Sequence, residues 1–452
     1  MHFNLHRIKF SLGQLFVLGF VVLCCFIMSI CVSADWAGWV LTGLIFLTIF
    51  FVKDFRENKK LFWTLFFIIL AHNVISIINV YFYLLFGWDA AGFHQHAWQN
   101  AALTGGIKFA LFAKFYIYIL SVFYKICASK FFGQEISVLF FTMSCVIFIK
   151  FQKLIGIKKH RAFSLLLFGL APAYLFWGSV TLREPLELFF IMLAVYSGIH
   201  FRLVDSKKIL YFCMMIFSSL IFGAFHWALP LFIPLLILIL LFWPLNGIKK
   251  EWLLSVFVLL LIIFVGIYLL FVYADLLPMD LHELVKAALC GDLVRVALHR
   301  IQVFQRANGS GVARTAYLIV LDFTSFISII KSMFMLVSHY LFGPFPWAIR
   351  SLVELLLMFY AWVRMAFLIG FIIAIKLTQR AKRQVLILML IVYLTLAVLY
   401  ALGTANYGTA LRHQMLTDWI LFLFGSPVTI FYVMKFLRKC CKYCGARNAF
   451  NE

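Results

Sequence analysis

Residues 61–86 read LFWTLFFIILAHNVISIINVYFYLLF, without one Asp, Glu, Lys or Arg. As a helix this run exceeds the roughly 20 residues needed to cross the hydrocarbon of a bilayer. Lys53, Arg56, Lys59 and Lys60 stand just before it, and Trp88 and Asp89 just after it. Outward from this segment the pattern repeats. Apolar runs lie near 12–33, 36–52, 106–126, 134–150, 162–180, 185–203, 209–225, 227–243, 252–274, 350–375, 384–403 and 415–436. The chain is 65% hydrophobic and 12% charged, with 54 Phe. Soluble domains carry about twice that charge fraction. A soluble chain of this length has too little interior to hide so much apolar side chain, whereas lipid accepts it at the surface. The pattern predicts an all-α, polytopic transmembrane bundle forming a single integral membrane domain over 1–452.

The net charge of +22 does not point to nucleic acid, because the basic residues sit in short clusters between apolar runs. Besides the cluster at 53–60, these are Lys150 to Arg161, Arg202 to Lys208, Lys249-Lys250, Lys376 to Arg383, and Lys435 to Lys442. Such clusters mark cytoplasmic loops, and they leave the alternating segments outside. Run 106–126 carries Lys108, Lys114 and Lys125, which are costly in hydrocarbon, and parity requires an odd number of crossings there. Placing it along the interface leaves about 12 spans, with both termini and the tail 437–452 cytoplasmic. The start, Arg7 and Lys9 before an apolar run ending Val32-Ser33-Ala34, reads either as a first span or as a signal peptide. Six of the ten cysteines lie inside apolar runs and act as small hydrophobes. Cys440, Cys441 and Cys444 have part of a zinc spacing without a second ligand pair, so no metal and no cofactor is expected.

The outer segments gather the unusual residues. Asp89 opens the loop Gly87 to Trp98, with His94 and His96 beyond it. A carboxylate there is suited to act as general base, or to cap a helix starting at Ala90. The two histidines are two apart and diverge on a helix, so they make a poor metal pair. Arg183-Glu184-Pro185 interrupts two apolar runs, either as an interfacial ion pair or as an arginine fork aimed at phosphate. His226 sits in the corner Phe225-His226-Trp227. The outer region 276–347 holds an amphipathic helix at 292–306, whose polar side includes Arg295 and Arg306. That helix reads as an interface anchor or as a binder of lipid phosphate. Residues 325–342, followed by Gly343-Pro344-Phe345-Pro346-Trp347, read as a re-entrant or interfacial segment. The last outer segment runs from Asn406 to His413. There Arg412 is suited to hold a phosphate and His413 to give a proton, or both simply mark the interface.

The early outer loop Trp88-Asp89-…-Phe93-His94-…-Ala97 resembles that of GT-C-type membrane glycosyltransferases. The segments around Leu182-Arg183-Glu184-Pro185 and Asn406 to His413 are similar to bacterial polysaccharide-assembly proteins, including O-antigen polymerase-like ones. The resemblance implies an inner-membrane enzyme that transfers sugar from a polyprenyl-phosphate-linked donor at the periplasmic face. Asp89 would be the base, with His94 or His413 assisting, and Arg183, Arg412, Arg295 and Arg306 would hold phosphate. Glu184, Asn406 and His226 would contact substrate. The partners expected are the polyprenyl-linked sugar and membrane lipid, with no nucleic acid. The first outer loop has no Asp-x-Asp, which departs from the GT-C pattern. A repeat-unit polymerase or a lipid-linked-glycan transporter are the other readings, and a transporter should carry ionisable residues at mid-membrane.

Overall fold

Peptide groups inside a bilayer have no water to bond, so a spanning segment must satisfy them internally, as a helix does. The computed structural model describes residues 12–82, 88–103, 113–226, 229–243, 317, 325–404 and 406–448. Among these described residues every regular element is helical. Eight helices are long and apolar enough to cross a membrane: Gly13–Cys31, Ser33–Phe51, Lys59–Phe82, Lys130–Leu154, Glu184–Leu203, Leu352–Leu377, Lys382–Leu402 and Tyr407–Arg438. Their surfaces reverse the soluble arrangement. Phe16, Phe51 and Leu352 are all more than 70% exposed, as lipid-facing side chains are.

The expectation of about 12 spans counted four further runs. Run 209–225 is the 17-residue helix Lys208–Ala224, and run 227–243 contains the 14-residue helix Leu229–Phe242. Both are shorter than the eight helices above. Run 252–274 lies outside the described residues, as does the amphipathic segment 292–306 with Arg295 and Arg306. Run 162–180 is not one helix. It forms Arg161–Leu170 and Pro172–Trp177, separated by Ala171 in an extended conformation (ψ 139°). The ring of Pro172 disfavours helix at the residue before it, which breaks the run where hydropathy alone shows no interruption. Of run 106–126, expected along the interface, residues 113–124 form the helix Ala113–Tyr124, and residues 106–112 lie outside the described residues.

The chain divides into two units, Met1–Pro230 with Leu421–Glu452, and Leu231–Ile420. In the first unit the helix Lys130–Leu154 is central. It packs on Trp36–Phe51, Lys59–Phe82 and Glu184–Leu203 and is buried over most of its length. Ser129 caps it by accepting from the Phe132 amide at 3.0 Å. The break after Leu170 is secured by His72. Its Nε2 lies 3.0 Å from the Gly169 carbonyl and its Nδ1 2.9 Å from Ser179 Oγ. The non-helical stretch Ser179 to Leu182 is thereby enclosed in protein, which is where irregular backbone is tolerated in a membrane domain. A π-helical turn, Leu421–Gly425, comes just before Ser426-Pro427. It accommodates a proline that lacks a donor, while Ser426 Oγ donates to the Phe422 carbonyl at 2.6 Å.

In the second unit Ser351 opens the helix Leu352–Leu377 with a capping arrangement. Its Oγ accepts from the Glu354 amide, and Glu354 Oε2 accepts from the Arg350 amide at 2.6 Å. The segment read as re-entrant is the 17-residue helix Phe326–Phe342. It packs against Arg380–Leu402 and Leu352–Leu377 and ends at a cis Gly343-Pro344 bond.

Candidate functional site

In the first unit the buried stretch at 179–182 delivers Arg183 and Glu184 to the start of the helix Glu184–Leu203. Pro185 suits that first turn, and Glu184 and Glu187 there favour the positive end of the helix dipole. Arg183 Nε lies 3.4 Å from Glu187 Oε1, and its Nη1 donates to the Phe225 carbonyl at 3.3 Å. His226 sits beside Arg183 and Glu184. Burial, with the Arg183 charge adding to it, pushes its imidazole down to about 3, so it is neutral. Tyr116 reaches the same place from Ala113–Tyr124, close to Ser137 and Glu184.

The helix Trp88–Ala102 brings two more of the expected residues to this neighbourhood. Ala90 packs with Val180 and Leu182, the residue before Arg183. Asp89 therefore opens its helix next to the segment that carries Arg183. Asp89 lies near the N-terminal end of the described helix, with its side chain exposed. His94 turns inward, its Nδ1 2.7 Å from the Tyr124 hydroxyl. Burial, then the Lys130 charge, pushes its imidazole down to about 4, so the ring is neutral and shares one hydrogen bond with the phenol. The Tyr124 hydroxyl approaches the backbone at Gly133, where a Cβ would collide with it, and Thr181 Oγ1 lies alongside. His96 is exposed, as the divergence of the two histidines requires.

Asp89, His94, Arg183, Glu184 and His226 thus share one region, which holds carboxylates, neutral imidazoles and buried phenols. That set can give hydrogen bonds to, and accept them from, a hydroxyl. It is less ready for a phosphate, which would have to compete with Glu187 for the Arg183 guanidinium.

The remaining expected residues belong to the second unit. Asn406 Oδ1 accepts from the Thr409 amide at 2.7 Å, the geometry of a helix cap on Tyr407–Ile420. His413 is buried, with Nδ1 3.0 Å from Thr404 Oγ1 and its ring against Tyr400. Arg412, one residue before it, is half-buried. What the sequence reading passed over is deeper. Arg364, midway along Leu352–Leu377, forms a two-pronged ion pair with Asp418, Nε to Oδ2 at 2.5 Å and Nη2 to Oδ1 at 3.1 Å. Nη1 donates to the Leu341 carbonyl at 3.2 Å, and Thr417 and Tyr360 hydroxyls approach Asp418. Arg364 and Tyr360 also line a small cleft with Gly343, Pro344, Tyr407 and Gln414. A charge inside an apolar run was the available signal for both residues.

Among the described residues no three of His, Cys, Asp and Glu are placed to hold a metal ion. The chain matches no family model, no curated protein and no solved structure, so its reading rests on its own residues.

Proposed function

We propose that this chain is a membrane glycosyltransferase working at the periplasmic face of the inner membrane, with a polyprenyl-phosphate-linked sugar as donor. In this reading both termini are cytoplasmic and about 12 segments cross the bilayer. The observation that carries it is the meeting of Asp89's helix with the Leu182-Arg183-Glu184 turn and His226. The exposed Asp89 takes the proton of an acceptor hydroxyl, while the neutral His94 and His226 hold the hydrogen bonds around it. Arg183 meets the departing phosphate as its charge grows, and gives up part of its contact with Glu187 to do so. The lipid tail lies along the Phe-rich outer surface of the helices.

The test is sugar transfer to a lipid-linked acceptor in proteoliposomes. Asp89→Asn abolishes transfer while the purified protein keeps its helical content and its unfolding midpoint. Full activity in that variant removes the base assignment. A series in which Asp89→Asn is active and only the Arg183 and Arg412 variants fail indicates a repeat-unit polymerase instead.

A second reading, transport of a lipid-linked glycan, is favoured by one observation: the ion pair Arg364–Asp418 lies mid-helix, beside a cleft. Transport predicts movement of a labelled lipid-linked glycan between leaflets that stops in Asp418→Asn and continues in Asp89→Asn. The opposite pattern excludes it.

A further inference from the structure

One buried carboxyl takes no part in the region around Arg183. Glu135 lies in the second turn of Lys130–Leu154 and is fully enclosed. Gly133 and Ser137 face the Thr181-Leu182 segment, Ser137 Oγ lying 3.5 Å from the Leu182 carbonyl. At about 100° per helical residue, Glu135 points roughly the opposite way from both. It faces Trp36–Phe51 and Lys59–Phe82, whose contributions are neutral hydroxyls. Glu135 Oε2 is 3.0 Å from Thr42 Oγ1, and the neighbouring Gln134 Oε1 accepts from Ser76 Oγ at 3.0 Å. Glu135 Oε1 makes no hydrogen bond, and the Ser76 hydroxyl, which also approaches this carboxyl, gives its one hydrogen to Gln134. Among the described residues, the titratable group facing Glu135 from another helix is the Cys25 thiol of Leu12–Cys31, and no cation pairs with the carboxyl.

The hydrogens decide its state. Thr42 Oγ1 is also 3.0 Å from the Gly38 carbonyl, one turn back on its own helix. A threonine hydroxyl has one hydrogen to give. With an ionised Glu135, that hydrogen would serve two acceptors at once, and one carboxylate oxygen would be left bare in an apolar interior, which is expensive. With a proton on Oε2 every atom of the chain is used in order: Glu135 donates to Thr42 Oγ1, and Thr42 donates to Gly38. The unpartnered Oε1 is then a neutral carbonyl oxygen rather than half of a bare anion. Trp39 and Phe131 pack nearby with ring centroids 4.8 Å apart and planes tilted by 52°, and Gly38 leaves the room that Phe131 occupies.

We propose that Glu135, with Thr42 as its hydrogen-bond acceptor, is a proton-binding site inside the helix bundle and carries its proton at neutral pH. The inference is independent of the sugar-transfer reading. Infrared difference spectra of the full-length protein against Glu135→Gln, in H2O and D2O at neutral pH, test it. The expected result is a carbonyl-stretch band of a protonated carboxylic acid that moves in D2O and is lost in Glu135→Gln. Absence of such a lost band overturns the proposal. If Glu135→Gln does not fold, Thr42→Val serves in its place: the band shifts because its acceptor is gone, and an unmoved band overturns the proposal. A bound sodium ion in place of the proton would make the wild-type unfolding midpoint fall when sodium is replaced by choline, and that result also overturns it.

Discussion

Replacing Asp418 by Asn strips the charge from one side of a pair whose members are 2% and 0% exposed. The Arg364 guanidinium keeps its bond to the Leu341 carbonyl but loses the anion that both Nε and Nη2 address. Removing one partner of a buried ion pair typically costs about 3–5 kcal/mol, because the other charge is left uncompensated. The lower end applies here, since Asn still offers one oxygen and Thr417 stays in place. At about 1.4 kcal/mol per factor of ten, a loss of ~3 kcal/mol lowers the folded-to-unfolded ratio more than a hundredfold. The double replacement Arg364→Met with Asp418→Leu removes both charges and their desolvation together. It should recover most of the loss, leaving a strongly non-additive cycle. Reversible SDS unfolding in mixed micelles measures this for wild type, Arg364→Met, Asp418→Leu and the double replacement, with Asp418→Asn alongside. Asp418→Asn within about 0.5 kcal/mol of wild type, or additive single changes, would refute the claim that the two charges compensate each other.

The cap at Asn406 gives a smaller effect: Asn406→Ala removes the acceptor for the Thr409 amide and costs about 1 kcal/mol of stability, read from the same unfolding curves. Asn406→Asp should retain most of it, and equal loss in both would argue for a contact other than the cap. Gly169→Ala places a Cβ against the enclosed Ile68 side chain and costs about 1–3 kcal/mol despite alanine's better helix propensity. For pH, the His94 imidazole is held at about 4, below its ordinary 6.5, so the unfolded chain binds more protons between those values. Stability is then complete above the ordinary value and falls as pH drops towards 4, and His94→Gln should flatten that slope, leaving the His226 share. A slope unchanged in His94→Gln would place the responsible proton elsewhere.

How much of this was legible depends on the distance over which each feature is written. Membrane spans are local, because crossing lipid demands an unbroken apolar length. Lys59–Phe82 and Leu352–Leu377 accordingly fall where the runs lie. Run 162–180 did not, although Ala171-Pro172 stood in plain view. Hydropathy averages over a proline that the backbone cannot ignore. The cap was local as well: Asn406 stands just before a helical stretch, and its Oδ1 is occupied by Thr409, so its polar side chain needs no ligand to explain it. Arg183, Glu184 and His226 drew notice one by one, but their meeting depends on a return of the chain after 42 residues that no spacing encodes.

The Arg364–Asp418 pair lay in between, and it shows what a stricter reading would use. Each residue interrupts an apolar run, and a charge in such a place is too costly to stand alone. A run with one buried cation therefore implies an anion in another run at matching depth. Arg364 is near the middle of its helix, and the runs of the same unit offer very few acids to answer it. Asp418 is one of them, and the structure pairs the two. Among the described residues Glu135 has no such counterpart: Thr42, Ser76 and Gln134 around it are uncharged. By the same rule a charge without an opposite must be cancelled some other way, and a proton is the smallest thing that can do it.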